Sequence, residues 1–339
     1  MTATIRSRIT GVGSYVPPRV VTNDELTAFM DTSDRWIQER TGIRTRHWVD
    51  PETSTSDLAL QAARRALDDA GSAAEDMDMI ILATLSPDHQ FPGTACFLQA
   101  KMDLGGIPAI DVRQQCTGFI YSMAIADQFI RTGTYRKVLV VGAEVHSKGL
   151  DLSTAGRDVS VLFGDGAGAV VVQAVDVVNP EVEPHVIYTD LHADGSFAQE
   201  LWLAAPGMAY SGGYVEAEAL QRGEHYPRMN GRTVFVNAVK RMTEVIGDTL
   251  DATEMKLEEI DLFVFHQANQ RISEAVAGKL GITPDRMFNT IADVGNTTAA
   301  SIPIGMDRAA AAGVLRPGML VACVAFGSGF TWGSLLLRW

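Results

Sequence analysis

Three polar residues, Cys116, His266 and Asn296, sit at the edges of apolar runs and have the types needed for thiol chemistry. Cys116 lies in "DVRQQCTGF" (111–119), between a polar lead-in and a Thr-Gly pair, where an Ala-rich helical pattern begins. A helix start favours an anion through its unpaired N–H groups, so the position is expected to lower the thiol pKa and make a nucleophile. His266 closes the apolar run "LFVFH" (262–266) and leads into "QANQRI", which adds two amides, Gln267 and Asn269. The C-terminal end of a buried strand in an α/β protein is where ligands usually bind. Asn296 stands in "DVGNTTAASIP", a setting that also suits an ordinary turn. A Cys–His–Asn set supports two chemistries. In thiol proteases the histidine is a base oriented by the asparagine. In carbon–carbon condensing enzymes the cysteine carries an acyl group, and the other two donate hydrogen bonds to a thioester carbonyl.

The elements that must position these residues alternate. Buried strands are expected at 79–84, 137–144, 167–175, 262–266 and 319–326, and helices at 56–71, 117–131, 232–251 and 270–281. Strands that are apolar throughout, alternating with helices, indicate an α/β protein with sheets covered on both faces. The chain also resembles itself. "LDDAGSAAEDMDMIILAT" is similar to "LDATEMKLEEIDLFVFH", and "VLFGDGAGAVVV" to "VAFGSGFTWGSLLL". Gly133 follows Cys116 by 17 positions (133 − 116), and Gly313 follows Asn296 by the same 17 (313 − 296). The order implies two duplicated halves, 1–175 and 176–339, related by a pseudo-dyad. Cys116 and Asn296 are then expected at equivalent helix starts. Residues 195–231 have no counterpart in the first half and read as an insertion, either a binding loop or a lid.

Composition narrows the partners. The formal net charge of −13 disfavours nucleic acid and anionic membrane surfaces. Three cysteines without a CxxC pair argue against disulfide scaffolding and against a cysteine metal site, and fit a reducing cytoplasm. Cys96 and Cys323, inside apolar stretches, are expected to be buried and inert. The first 20 residues contain no apolar signal core, and no apolar run is long enough for a transmembrane span.

Six motifs together resemble the β-ketoacyl-acyl-carrier-protein synthase III family of thiolase-like condensing enzymes. They are "TSDRWIQERTGIRTRH" (32–47), "DVRQQCTGF" (111–119), "LFGDGAGAVVV" (162–172), "HQANQRI" (266–272), "GNTTAASIP" (295–303) and "FGSGFTWG" (326–333). The resemblance covers essentially the whole chain and implies a five-layer α-β-α-β-α fold. It implies that Cys116 is the acylated nucleophile and that His266 and Asn296 bind the malonyl thioester carbonyl. The backbone N–H groups of Cys116 and Ser328 become the oxyanion hole, although the family commonly has glycine at the latter position. Trp36, Arg40, Arg157 and Asn269 become coenzyme A contacts, since an indole stacks on adenine and guanidinium groups pair with phosphate. Phe91 matches a residue that reaches across a dimer interface into the acyl pocket. Arg271, with Lys240 and Arg241, is implied in docking an acidic carrier protein.

The implied reaction is ping-pong. An acyl group moves from acyl-CoA to Cys116, and a malonyl thioester then loses carbon dioxide and attacks it. Coenzyme A thioesters are substrates, and no metal or separate cofactor is implied. A homodimer is implied, with acyl-carrier protein as a possible partner. The chain departs from the family pattern at Gln114 and Gln115, in the 150-residue spacing of Cys116 and His266 (266 − 116), and at Val236, where a docking lysine is often found. With "TLSPDH" (84–89), these features lean toward condensing enzymes of specialised metabolism that take a bulkier acyl group. The alternatives are an acyltransferase to an alcohol or amine, a thiol hydrolase, and a catalytically silent binding module.

Overall fold

The computed structural model describes residues 3–209 and 214–339. The first sheet contains β1 (Thr4–Tyr15), β2 (Met79–Ala83), β3 (Ala109–Val112), β4 (Lys137–Glu144) and β5 (Gly166–Val177), in the order β1-β5-β4-β2-β3. The second contains β6 (His185–Ala193), β7 (Leu262–Phe265), β8 (Leu320–Gly327) and β9 (Thr331–Arg338), in the order β6-β9-β8-β7. The two orders superpose. In each sheet the first two neighbouring pairs are antiparallel and the next is parallel. A parallel bridge between Phe263 and Met287 lies where the second sheet would carry a counterpart of β3. Duplication is therefore written in the hydrogen bonding as well as in the sequence.

Seven helices of eight or more residues lie among the described residues: α1 (Asp34–Thr41), α2 (Thr55–Ala70), α3 (Thr94–Lys101), α4 (Gly118–Arg131), α5 (Gly231–Thr253), α6 (Gln270–Leu280) and α7 (Ser301–Ala311). Helices α4 and α7 lie between the sheets, and their buried faces share one core with both. Helices α2 and α3 cover the outer face of the first sheet through an Ala- and Leu-rich face. Helices α5 and α6 cover the outer face of the second. The result is five layers, α-β-α-β-α. A strand covered on both faces has no polar side to show, which is why β2, β4, β7 and β8 read as unbroken apolar runs.

The central helices open in the same way. Each follows a 3-10 turn, Gln115–Thr117 before α4 and Thr298–Ala300 before α7. The first residue of each turn has positive φ, 42° at Gln115 and 50° at Thr298. Matching those turns pairs Cys116 with Ala299, not with Asn296. The glycines after the helices, Gly133 and Gly313, are both left-handed (φ 73° and 67°) and keep the expected pairing. The expected equivalence of Cys116 and Asn296 thus fails by three residues. Helix α7 is 11 residues long against 14 for α4, so a match made from the ends misplaces the starts by about one turn. The two starts do meet: a Cβ placed on Gly118 would lie 3.3 Å from that of Ala299.

Cys96 corrects another expectation. It is exposed, because the eight-residue α3 buries Thr94, Ala95 and Leu98 on one face and turns position 96 outward. Cys323, in the middle of β8, is buried as expected. No helix among the described residues is long and apolar enough to cross a membrane.

Candidate active site

Cys116, His266 and Asn296 line a single cavity of about 520 Å³. They come from three different places: the turn before α4, the end of β7, and the loop before α7. All three are buried, at 8%, 3% and 4% exposure. Exposed Arg40, Arg232 and Arg271 line the same cavity with half-buried Trp36, so its mouth is cationic and its base polar but buried.

The sulfur is held from the second half of the chain. The N–H groups of Ser328 and of Cys116 itself both point at Sγ. Gly327 packs directly on the cysteine: a Cβ there would lie 2.6 Å from the Cys116 Cβ and 3.2 Å from Sγ. The helix start does not make a thiolate of it. Burial pushes the thiol up to about 12, neighbouring Glu144 adds to the rise, and the two N–H groups only partly offset it. Desolvation of the anion outweighs the dipole here because the cysteine lies between two sheets. Glu144 is itself buried, which raises its carboxyl to about 7 even though Thr84, Leu85 and Ser86 donate to it.

His266 follows β7 and is pinned through its main-chain N–H to Val324 O (2.8 Å). Its Nδ1 lies 2.7 Å from Ser301 Oγ, and that hydroxyl donates to Thr298 O at 2.9 Å. A hydroxyl has one proton, so Nδ1–H is the donor to Ser301 and Nε2 keeps its lone pair. Nε2 is buried and has no protein partner among the described residues. Burial pushes the imidazole down to about 3, so it is neutral at pH 7. His146 behaves alike: burial and the His266 ring depress it to about 3, and its Nε2 meets Thr298 Oγ1 at 2.6 Å.

Asn296 is oriented by its own loop. Its main chain bonds Leu162 O (2.8 Å) and Gly164 N (3.0 Å), and its Oδ1 accepts the Thr298 N–H at 2.9 Å. Fixing Oδ1 this way leaves Nδ2 as a donor with no protein acceptor among the described residues. The site therefore combines a protonated thiol, a neutral imidazole with a free nitrogen, a free amide donor and two main-chain N–H groups. That set can take up an acyl group on sulfur and stabilise an oxyanion beside it.

Two family models match the chain. "3-Oxoacyl-[acyl-carrier-protein (ACP)] synthase III" matches residues 110–195, and "3-Oxoacyl-[acyl-carrier-protein (ACP)] synthase III C terminal" matches residues 250–339. A curated relative, the β-ketoacyl-[acyl-carrier-protein] synthase III of Thioalkalivibrio sulfidiphilus (strain HL-EbGR7), is 46% identical over 332 residues, 98% of this chain and 99% of the relative. The chain belongs to the 3-oxoacyl-[acyl-carrier-protein] synthase III family. Solved structures agree. The family member from Aquifex aeolicus VF5 has a TM-score of 0.87 at 41% identity, covering 98% of this chain and 100% of that one. The member from Pseudomonas aeruginosa PAO1 has a TM-score of 0.89 at 39% identity, covering 98% of each. The fold is accordingly thiolase-like, and the chain is an acyltransferase-type condensing enzyme.

Against that family background the remaining expected residues divide. Two guanidiniums lie over the Trp36 ring, with Arg40 Cζ at 4.6 Å and Arg157 Cζ at 4.5 Å from its centroid. Arg157 also donates to Asp31 O (2.7 Å) and does not line the cavity. Asn269 lines it but is engaged by the fold, since Nδ2 donates to Arg40 O and Oδ1 caps α6 through the Arg271 N–H. Arg271 lies over Phe235 at the mouth. Lys240 and Arg241 are outside the cavity, and Arg241 is engaged by Glu244, Asp194 and the Trp332 ring. Phe91 is 86% exposed and does not line the cavity of its own chain.

The insertion contributes a two-stranded ribbon, Leu201–Trp202 with Arg228–Met229, and Leu201 and Met229 line the cavity. Ser328 Oγ donates to Leu201 O and ties the ribbon to the site. Residues 210–213 of the insertion lie outside the described residues. Sequence reasoning missed Arg232 and Ser301. Ser301 was within reach, since it lies in the quoted "GNTTAASIP"; Arg232 carried no signal beyond its charge.

Proposed function

We propose that this chain joins an acyl group, carried on Cys116, to a malonyl thioester with loss of carbon dioxide, giving a 3-oxoacyl thioester. The observation that carries the reading is that Cys116, His266 and Asn296 line one cavity with exposed arginines, while two main-chain N–H groups bond Cys116 Sγ and His266 Nε2 has no protein partner among the described residues.

With a thiol near 12 and an imidazole near 3, a resting thiolate–imidazolium pair is strongly disfavoured. Proton transfer must accompany carbon–sulfur bond formation. As sulfur attacks the acyl-CoA carbonyl carbon, the S–H proton passes to His266 Nε2, and the carbonyl oxygen becomes an oxyanion facing the Cys116 and Ser328 N–H groups. Collapse expels the coenzyme A thiolate, which takes the proton from Nε2 and leaves as the thiol. The malonyl thioester then places its carbonyl oxygen on Asn296 Nδ2. Loss of carbon dioxide leaves the electron pair as an enolate on that oxygen, and its α-carbon attacks the acyl-cysteine. His266 joins Asn296 as a donor when its ring proton is on Nε2, with the Ser301 hydroxyl turned to donate to Nδ1. The final collapse releases Cys116 sulfur, which is reprotonated from solvent.

Coenzyme A enters past Trp36 and the arginines, and its pyrophosphate pairs with guanidinium groups there. No separate cofactor takes part. An acyl-carrier protein delivers the malonyl group, and Arg271 at the mouth is the basic contact best placed for it. Two subunits associate through the first half. The unpaired edge of β3 and exposed Phe91 both suit such an interface. The cytoplasm is the compartment, consistent with three free cysteines.

Incubation with a panel of acyl-CoAs, followed by mass spectrometry, is expected to add the acyl mass to Cys116. Labelled carbon dioxide is then expected from malonyl thioester, and 3-oxoacyl product should accumulate. Acyl adducts without carbon dioxide release would favour transfer to an alcohol or amine instead. No adduct at Cys116 would end the proposal.

A further inference from the structure

A second buried histidine stands behind the site. His146 lies just past the end of β4, is uncharged at pH 7 and does not line the cavity. No step of the condensation uses it. Its main chain is fixed within the first half of the chain: the N–H donates to Asp165 Oδ1 at 2.7 Å, and the same carboxylate accepts the N–H groups of Ser147 (2.9 Å) and Val49 (2.8 Å). From that anchor the ring reaches the second half. Its Nε2 shares a hydrogen bond with Thr298 Oγ1 at 2.6 Å, and its face packs on Phe163 with centroids 4.5 Å apart.

Both contacts bear on the polar groups of the site. The Thr298 N–H donates to Asn296 Oδ1, and the Thr298 carbonyl accepts the Ser301 hydroxyl that holds His266 Nδ1. The main chain of one residue thus orients Asn296 directly and His266 through Ser301. Thr298 does this at a φ of 50°. A β-branched residue rarely adopts that conformation, and keeps it only where its surroundings hold it. Thr298 is fully buried, and His146 Nε2 is the partner of its hydroxyl. Phe163 bears on Asn296 from the other side, through a parallel bridge between their main chains, and its ring lines the cavity. The two N–H groups at Cys116 are placed from elsewhere, by the turn before α4 and the end of β8.

We propose that His146 is a positioning residue for the decarboxylation step: by holding Thr298 in its left-handed conformation, it keeps Asn296 Nδ2 and the His266 ring directed at the malonyl carbonyl. The inference rests on the condensation proposed above. His146 touches no substrate and moves no proton. Acylation of Cys116 depends on it less, because His266 is also held by its own main-chain bond to Val324 O and Asn296 takes no part in that step.

Three variants of the full-length protein separate the contacts. His146→Phe keeps a ring against Phe163 and loses the hydrogen bond. His146→Gln loses the ring and keeps an amide to meet Thr298 Oγ1. Thr298→Val removes the same bond from the other side. Acylation by acyl-CoA is timed by mass spectrometry. The acyl-enzyme is then mixed with malonyl-acyl-carrier protein labelled in its free carboxyl, and carbon dioxide release is counted per acylated molecule. Unfolded protein forms no acyl-enzyme and drops out of the second rate. In H146F and T298V, release should slow by about ten- to a hundredfold, the effect of a displaced donor, while acylation stays within about threefold of wild type. H146Q should recover release to within about threefold of wild type. In the double variant H146F/T298V the loss should be no larger than in the worse single one, because both remove one bond. Release within about threefold of wild type in H146F or T298V would overturn the proposal. So would acylation that falls as far as release, an H146Q no better than H146F, or additive losses in the double variant. A wild type that forms no adduct, or that releases no carbon dioxide, would refute the condensation reading itself, which separates the two failures.

Discussion

Gly327→Ala tests the geometry at the sulfur most directly. The added methyl carbon would lie 2.6 Å from the Cys116 Cβ, 3.1 Å from its N and 3.2 Å from Sγ. Carbon–carbon contacts sit near 3.5–4.0 Å, so the cysteine and β8 must separate by about 1 Å. Neither side yields easily. Gly327 is the last residue of β8 and pairs with Thr331, and Cys116 is in a turn whose first residue already has φ of 42°. The displaced Cys116 N–H is one of the two donors aimed at the sulfur. A misplacement of about 1 Å at a reacting centre costs roughly a hundredfold, and loss of one oxyanion donor roughly 10²–10³. Single-turnover acylation of G327A by acyl-CoA should therefore be slower by about 10²–10³, while coenzyme A binding at the mouth, measured by calorimetry, should be little changed. Thermal unfolding of the same preparation reports how far the strand has yielded. Acylation within about threefold of wild type would show that the Cys116–Gly327 contact has no part in placing the donors.

Stability should fall in acid with a two-stage slope. The depressed histidines, His146 and His266, are neutral when folded, so their contribution is complete above about 6.5 and is lost as pH falls toward 3. Raised Glu144 acts oppositely: its contribution is complete below about 4.5 and is lost as pH rises through 7. From these three groups together the loss is of order 1 kcal/mol per pH unit between pH 6.5 and 4.5 and roughly 3 kcal/mol per unit below 4.5, with His47 and His185, also depressed by burial, adding in the same direction. Urea midpoints taken from pH 7 to 4 would reveal it, and a flat profile would contradict the burial of the two rings. Separately, Trp36→Ala should raise KM for acyl-CoA about three- to tenfold with kcat nearly unchanged, the size of one aromatic–guanidinium platform. A thioester of a short thiol lacking the nucleotide should be unaffected, and equal effects on both substrates would remove Trp36 from nucleotide binding.

The sequence revealed elements in proportion to their burial. Strand β4 was placed at its observed residues, 137–144, because a run covered on both faces has no polar interruptions to blur it. Strands β1 and β6 were not anticipated. The first, "TIRSRITGVGSY", interleaves arginine, serine and glycine, and the second is only half-buried along most of its length. His266 stands out because it closes an apolar run and Cys116 because it opens an Ala-rich helix; Asn296 enters through an equivalence with Cys116 that is off by three residues, and through the family motif around it. The state of Cys116 was not legible. Its pKa depends on what lies around the turn in space, and much of that comes from β4 and from residues more than 200 positions downstream. Ser301 shows the same limit: nothing in its local pattern says that its hydroxyl chooses the tautomer of a histidine 35 residues earlier.

Duplication explains why the site is where it is and also why its groups are so poorly ionised. Two copies of one fold, packed through α4 and α7, bring two helix starts together at the centre of the five layers. Both groups are buried there, so the thiol rises to about 12 and the imidazole falls to about 3. A surface thiol would ionise more readily, but its acyl ester would stand in water and hydrolyse. On the proposed mechanism, burial would let the acyl-enzyme persist until the second substrate arrives, and would let the enolate meet an electrophile before it meets a proton. In that mechanism the activation that burial withholds from the resting thiol comes from the substrate, whose carbonyl would bring developing negative charge to the two main-chain N–H groups as the proton moves to His266. Reactivity in this arrangement belongs to the complex and not to the free enzyme. Cys116 should therefore react slowly with a small alkylating agent at neutral pH while accepting an acyl group readily from coenzyme A.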